Sequence, residues 1–236
     1  MIYVAVYALA VLSEFYFVPK FIKAAWPKRC MKSLKYKMIC SAFFILSAVC
    51  CLLYSHNYTA FSAFMIAGLV FGLIGDLLIH YPVDKNSVAT LGGASFGIGH
   101  IFYILAFSSA IKRITPEEKI FNYRAIIVTL CIVAVGVGIK FVKKIKFGVF
   151  ALPALVYAIV ITTMLTTAYQ LTFRMHFNAG VLFTLMLGAV LFVLSDATIA
   201  LLIFGGMERN RPLKVFNIVT YFLGQILLGT SILFVK

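Results

Sequence analysis

Two aspartates lie inside long apolar stretches of the sequence, where an acidic side chain is costly. Asp76 occupies FGLIGDLLIH at 71–80, and Asp196 occupies LFVLSDATIALL at 191–202. A charged residue at the centre of a membrane helix costs about 2.5–3.5 kcal/mol on insertion scales, so such residues usually face a cavity or a partner. Two carboxyl groups in a low dielectric do not both ionise readily. The two aspartates therefore predict one proton donor and one anion, a pair suited to acid–base catalysis.

Further polar side chains recur at helical spacing in the neighbouring apolar stretches. Gly68, Gly72 and Asp76 share one helix face, and small residues at this spacing let another helix approach closely. A single buried histidine is more often structural than catalytic, so the prediction depends on the residues taken together. They predict a polar chamber in which six side chains bind or orient the substrate: His100, Tyr103, Tyr157, Ser195, Tyr221 and Gln225.

The elements that must position these residues are membrane-spanning helices. The chain is 63% hydrophobic and 12% charged, whereas soluble domains are about half apolar and about a quarter charged. About 20 consecutive apolar residues span a bilayer as a helix. Eight such blocks predict an all-α polytopic membrane protein that forms a single integral-membrane domain over residues 1–236: 2–19, 38–55, 61–80, 88–111, 124–142, 147–169, 178–204 and 215–235.

The net charge of +14 is distributed in a way that indicates membrane topology rather than nucleic-acid binding. Most of the Lys and Arg residues fall in the odd-numbered connections, so the positive-inside rule places these in the cytoplasm and both termini outside, or in the lumen. The aspartates then lie in the cytoplasmic half of a bacterial cytoplasmic membrane or of the endoplasmic reticulum. Glu14, at a similar depth, is interpreted as an interfacial residue. Topology and anchoring at the membrane surface are the favoured explanation of four basic residues near the helix ends: Lys20, Lys23, Lys140 and Lys143.

A faint internal repeat relates the two halves of the chain. GLVFGLIGD at 68–76 resembles GAVLFVLSD at 188–196, and FGIGHI at 96–101 resembles YFLGQI at 221–226. A repeat of four helices preserves chain direction, so the halves would be related by an axis along the membrane normal. The repeat predicts two parallel four-helix units with Asp76 and Asp196 at equivalent positions, close to each other.

Four motifs together resemble the YhhN-like lysoplasmalogenase family of multi-pass membrane enzymes. They are GLVFGLIGDLLI, FxxGHIFY at 96–103, LGAVLFVLSDATIA and TYxxxQ at 220–225. Where many members are expected to have Lys-Pro, this chain reads Lys37-Met38. The resemblance implies hydrolysis of the vinyl ether bond of lysoplasmalogens, which gives a fatty aldehyde and glycerophosphoethanolamine or glycerophosphocholine. The partner would then be a lysophospholipid in the membrane, and neither a metal nor an organic cofactor would be required. For such a substrate, Lys20, Lys23, Lys140 and Lys143 become candidates for contacting the phosphate.

The catalytic roles implied by the resemblance fall to the two aspartates, without deciding which of them is the acid. Asp76 and Asp196 would protonate the vinyl ether and stabilise the resulting cation, as two carboxyl groups do in glycosidases. A different class of function is also open. Intramembrane carboxylates and Gly-rich helices are typical of proton-coupled transporters of small molecules or lipids. Another lipid substrate for the same fold is a third interpretation. Aldehyde release from lysoplasmalogen by the purified protein would discriminate between them.

Overall fold

Helices account for all the regular secondary structure in the described part of the chain. The computed structural model describes residues 1–81, 86–117, 126–134 and 147–235. Two 3₁₀ turns adjoin these helices, one at Gly148–Phe150 and one at Ser231–Leu233. The helices, in chain order, are α1 Ile2–Ala24, α2 Met31–Ser55, α3 Ala60–His80, α4 Asn86–Ile114, α5 126–134, α6 Ala151–Arg174, α7 Ala179–Phe204 and α8 Arg211–Thr230.

Seven of these helices are long and apolar enough to cross a membrane: α1 to α4 and α6 to α8. The all-α, multi-pass membrane architecture is therefore confirmed. The eighth predicted span, 124–142, falls largely outside the described residues, so the count of eight and the orientation of the termini stay predictions. Several charged residues of the topology argument also lie outside the described residues: Asp84, Lys85, Glu118, Lys119, Arg124, Lys140, Lys143, Lys144, Lys146 and Lys236.

Helix α2 begins at Met31, seven residues before the apolar block that predicted it. Cys30 caps the helix, and its backbone N–H donates to the Ser33 hydroxyl at 3.0 Å. Hydropathy marks only the part of a helix that lies among lipid tails, whereas the backbone hydrogen bonds continue beyond it. Lys37, expected in the connection, therefore lies inside α2.

The bundle is built around α8, which is largely buried, whereas most of α1 is exposed. Helix α3 packs along α4, α7 packs along α8, and α2 contacts both α3 and α8. The α3–α4 and α7–α8 pairs coincide with the elements of the predicted repeat, but the axis between the halves stays a prediction. Large buried side chains fill the spaces between helices: Phe44, Met65, Phe107, Met164 and Leu171.

Close helix crossings explain how polar groups on different helices meet. A Cβ atom added to Gly224 of α8 would lie 3.1 Å from the carbonyl oxygen of Gly188 of α7. One added to Gly99 of α4 would lie 3.1 Å from the carbonyl oxygen of Gly68 of α3. Larger residues would separate these backbones, because a Cβ at this distance is already tighter than ordinary packing. The glycines therefore hold the polar side chains of adjacent helices within hydrogen-bonding distance.

Candidate active site

Asp76 is fully buried near the end of α3 and contacts polar side chains of two other helices, α2 and α8. Its Oδ1 lies 2.9 Å from Nζ of Lys37 on α2, which forms an ion pair. Its Oδ2 accepts hydrogen bonds from the Ser41 hydroxyl at 2.6 Å and from the Tyr221 hydroxyl of α8 at 2.8 Å. A buried charge is tolerated when it is paired and hydrogen-bonded, and Asp76 has both kinds of partner.

Two more predicted residues extend the network from Tyr221. Nε2 of Gln225 donates to the Tyr221 hydroxyl at 3.3 Å, and Oε1 of Gln225 accepts from the Tyr103 hydroxyl at 2.7 Å. Gln225 and Tyr221 are one helical turn apart, which places both side chains on the face of α8 that meets α3. We call this group the Asp76 cluster: Lys37, Ser41, Asp76, Tyr103, Tyr221 and Gln225.

Asp196, on α7, forms a second group. Its Oδ2 accepts a hydrogen bond from the Tyr157 hydroxyl of α6 and lies 3.2 Å from Nε2 of His100 on α4. The Tyr157 hydroxyl is itself 3.1 Å from the same His100 nitrogen. We call Asp196, His100 and Tyr157 the Asp196 cluster.

The Asp196 cluster is more open than the Asp76 cluster. The Asp196 side chain is 16% exposed, whereas that of Asp76 is inaccessible. Nδ1 of His100 is buried and has no hydrogen-bond partner among the described residues. Buried polar atoms usually have a hydrogen-bond partner, so this nitrogen is available for one further hydrogen bond.

Phe192 connects the two clusters through ring contacts. Its centroid lies 4.7 Å from that of His100 and 5.5 Å from that of Tyr221, with an edge-to-face arrangement in both cases. The two aspartates have different hydrogen-bond partners in the described structure, and none is shared. Their action on one substrate atom therefore stays a prediction, as does the close approach that the repeat predicted.

Ser195 differs from the other predicted residues because its hydroxyl is engaged away from both clusters. It donates to the backbone oxygen of Asn217 on α8 at 3.1 Å, and Nδ2 of Asn217 donates back to the Ser195 carbonyl oxygen at 2.7 Å. Adjacent helical residues point about 100° apart, so Ser195 and Asp196 face different neighbours. These bonds describe a link between α7 and α8, and substrate binding by Ser195 stays a prediction.

Lys37 and Ser41 were not among the predicted site residues. The two are one turn apart on α2 and both contact Asp76. Their i, i+4 spacing was the available signal, since it places an ammonium and a hydroxyl on one helix face. Lys37 was instead counted among the topology lysines, because the apolar block that predicted the helix begins only at residue 38.

Glu14 also has an unexpected environment. It is 4% exposed, which differs from the interfacial position that the sequence suggested. It interacts electrostatically with Asp76 and lies beside the Cys40 thiol. A third carboxyl group therefore adjoins the Asp76 cluster.

The arrangement offers carboxyl, imidazole, phenol, amide and ammonium groups for chemistry. Across the described residues, no three His, Cys, Asp or Glu side chains are grouped so that they could hold a metal ion. The groups present can bind or transfer protons and can stabilise a developing charge of either sign.

Comparison with known proteins identifies the family. Neither the curated proteins nor the solved structures include a match to the chain. The profile of the YhhN family matches residues 34–232, a range that includes both clusters and leaves out only Glu14 of the groups described above. This match covers most of the chain, and the protein belongs to the YhhN family.

Proposed function

We propose that this protein hydrolyses the vinyl ether bond of lysoplasmalogens. Membership of the YhhN family supports a lysoplasmalogenase-like hydrolase role at the level of the family. The observation that carries the proposal for this chain is the pair of aspartate clusters inside the bundle. One contains an ion pair with Lys37, and the other contains a histidine and a tyrosine.

Hydrolysis of a vinyl ether has three chemical requirements. A general acid protonates the β-carbon of the double bond, and this leaves an oxocarbenium ion. An anion nearby stabilises that cation, and a base takes a proton from the water that adds to it. The hemiacetal then breaks its bond to the glycerol oxygen, which takes a proton while the hemiacetal hydroxyl loses one. The products are a fatty aldehyde and glycerophosphoethanolamine or glycerophosphocholine. One water molecule is consumed and no oxidant or reductant is needed.

The surroundings of the two clusters favour a division of these roles. Asp76, which pairs with Lys37 and accepts hydrogen bonds from Ser41 and Tyr221, would act as the anion that stabilises the oxocarbenium ion. Asp196, bonded to Tyr157 and His100 and partly accessible, would exchange protons with the substrate and with water. The unpaired Nδ1 of His100 would hold the attacking water.

The membrane location suits the substrate. The alkenyl chain of a lysoplasmalogen lies among lipid tails, and the vinyl ether lies close to the headgroup level. Asp76 lies four residues before the end of α3, at the corresponding depth in a spanning helix. Tyr103, Tyr221 and Gln225 would orient the glycerol part through their hydroxyl and amide groups.

The test is aldehyde release from lysoplasmalogen by the purified protein in detergent or liposomes. In D₂O the aldehyde should carry deuterium on the carbon next to its carbonyl group, because that carbon receives the catalytic proton. The matched control is a saturated 1-alkyl lysophospholipid, which has no double bond to protonate and should remain intact. Folded protein that releases no aldehyde would exclude the proposal and would favour the transporter interpretation, for which lipid or proton flux across liposomes is the assay.

A glycine substitution tests whether the Asp76 cluster must be held in place. A Cβ on Gly72 would lie 2.7 Å from Nε2 of Gln225, so Gly72→Ala should displace that amide while the flexible side chain absorbs most of the clash. We expect turnover to fall about ten- to a hundredfold, since small misplacements around a reacting group have effects of this size. The measurement is kcat together with thermal stability in detergent.

Gly93 of α4 provides the matched control for Gly72. No atom of the described residues lies within 4 Å of a Cβ there, so Gly93→Ala should leave turnover unchanged. Ala also favours the helix by about 0.5–1 kcal/mol relative to Gly, so stability should not decrease. Equal turnover in the Gly72→Ala and Gly93→Ala variants would remove Gln225 from the catalytic arrangement.

A further inference from the structure

Three cationic side chains converge at one end of the bundle, around the connection between α1 and α2. Nζ of Lys214, on α8, donates to the carbonyl oxygen of Ala25 at 2.9 Å. The Arg29 guanidinium donates to the carbonyl oxygen of Ile79, near the end of α3. Lys37 is the third cation and pairs with Asp76. Arg29 and Lys214, from two other segments of the chain, thus join Lys37 of the Asp76 cluster.

These cations are close enough to repel one another. Lys214 interacts electrostatically with both Arg29 and Lys37, and all three act on the buried ring of His80. Among the described residues, Asp76 is the only carboxylate paired with any of the three. Within the described part of the chain, three cations thus face one paired carboxylate, and an anion placed between these side chains would relieve their repulsion.

The three cations, Arg29, Lys214 and Lys37, lie in a series from the surface of the protein to Asp76. Arg29 is exposed, Lys214 is half-buried, and the Lys37 side chain is 14% exposed. Lys37 also lies 5.4 Å from the ring centre of Tyr221, which bonds Asp76. An anion held by Arg29 and Lys214 would therefore lie next to, and outside, the group that we place at the reacting bond.

We propose that Arg29 and Lys214, with Lys37 at the inner side, bind the phosphate of a lysophospholipid substrate. This inference rests on the proposed function. In such a lipid the glycerol backbone separates the phosphate from the ether oxygen, so a phosphate at these cations leaves the scissile bond beside Asp76. A guanidinium offers several N–H donors for phosphate oxygens, and an ammonium is a compact charge for the same purpose. The shared chemistry is that of a tetrahedral phosphate anion.

The lysines expected to contact phosphate from the sequence alone are different ones. The Lys20 ammonium lies 3.7 Å from the ring centre of Tyr16, an arrangement suited to anchoring at the membrane surface. Lys140 and Lys143 lie outside the described residues. The proposed phosphate contacts therefore lie at the start of α8 and in the α1–α2 connection, rather than at the lysines that the sequence suggested.

A structural role is the alternative. Arg29 and Lys214 both donate to carbonyl oxygens near helix C-termini, a common way to satisfy these groups. Loss of such a contact lowers the stability of the protein and therefore affects its activity on every substrate alike. Loss of a phosphate contact weakens the binding only of substrates that carry the phosphate. A comparison of two substrates therefore separates the two roles.

The experiment uses Arg29→Gln and Lys214→Gln, since glutamine can still donate to the same carbonyl oxygens. Each variant is assayed with lysoplasmalogen and with 1-alkenylglycerol, which has the vinyl ether but lacks the phosphate. We expect KM for lysoplasmalogen to rise about tenfold or more, consistent with the loss of one charged hydrogen bond, and KM for alkenylglycerol to stay the same. Lys20→Gln is the control and should change neither. Equal changes for both substrates would overturn the proposal.

A binding assay keeps this result independent of catalysis. Thermal stabilisation of the full-length protein is measured with a saturated 1-alkyl lysophospholipid, with 1-alkylglycerol and with inorganic phosphate. We expect the lysophospholipid to raise Tm most, and Arg29→Gln and Lys214→Gln to lose that advantage. This outcome supports the site even if no aldehyde is released. Equal stabilisation by alkylglycerol excludes the site, and equal stabilisation by inorganic phosphate assigns it to a free phosphate rather than to a lipid.

Discussion

Replacement of Asp76 by asparagine should lower the turnover of lysoplasmalogen by about 10²–10⁴-fold, the range typical of a group that acts in general acid–base or charge stabilisation. The amide keeps the shape and can still bond Ser41 and Tyr221, but it cannot supply the negative charge that the oxocarbenium ion requires. The assay is kcat for aldehyde release, with variant and parent protein at matched levels in the membrane.

Stability must be separated from chemistry in this variant, because Asp76→Asn leaves the Lys37 ammonium without its partner. Removal of one member of a buried ion pair typically costs about 3–5 kcal/mol. The double variant Asp76→Asn with Lys37→Met removes both charges, and we expect it to regain thermal stability without regaining activity. Recovered activity in the double variant would show that Asp76 only compensates Lys37 and takes no part in catalysis.

Asp196→Asn should cause a loss of similar size, about 10²–10⁴-fold, because Asp196 and His100 would transfer protons as one unit. His100→Gln should then be nearly as slow, and the variant that carries both changes should be little slower than either alone. Residues that act together in one step are not additive in their effects. The measurement is a double-mutant cycle on kcat/KM, with Tyr157→Phe as a milder change that removes only the hydroxyl bonded to Asp196.

A multiplicative loss in the Asp196 and His100 cycle would contradict this interpretation, since it would mean that the two side chains act in separate steps.

The same double-mutant design applies to the two aspartates. If Asp76 and Asp196 serve one transition state, the Asp76→Asn and Asp196→Asn double variant should lose little more than each single variant. Retained turnover in either single variant would remove that aspartate from the mechanism.

The sequence alone determined the class of protein and the residues worth testing. Long apolar blocks predicted the seven spanning helices of the described structure, because the transfer of a segment into a bilayer depends mainly on its own composition. Asp76 and Asp196 could also be identified from composition, because a carboxyl group inside an apolar membrane segment is costly whichever way it faces. The family followed from local motifs that contain both aspartates, and the family profile confirmed it.

The tertiary structure decided which groups meet. Sequence spacing gives the face of a helix that a residue occupies, but the neighbour across that face depends on how helices rotate and cross. This is why Lys37 proved to be the partner of Asp76, and why Glu14 is buried rather than interfacial. It is also why the two aspartates have separate partners, with Phe192 between His100 and Tyr221. These relations join residues up to 145 positions apart, and such contacts are fixed only by packing of the whole bundle.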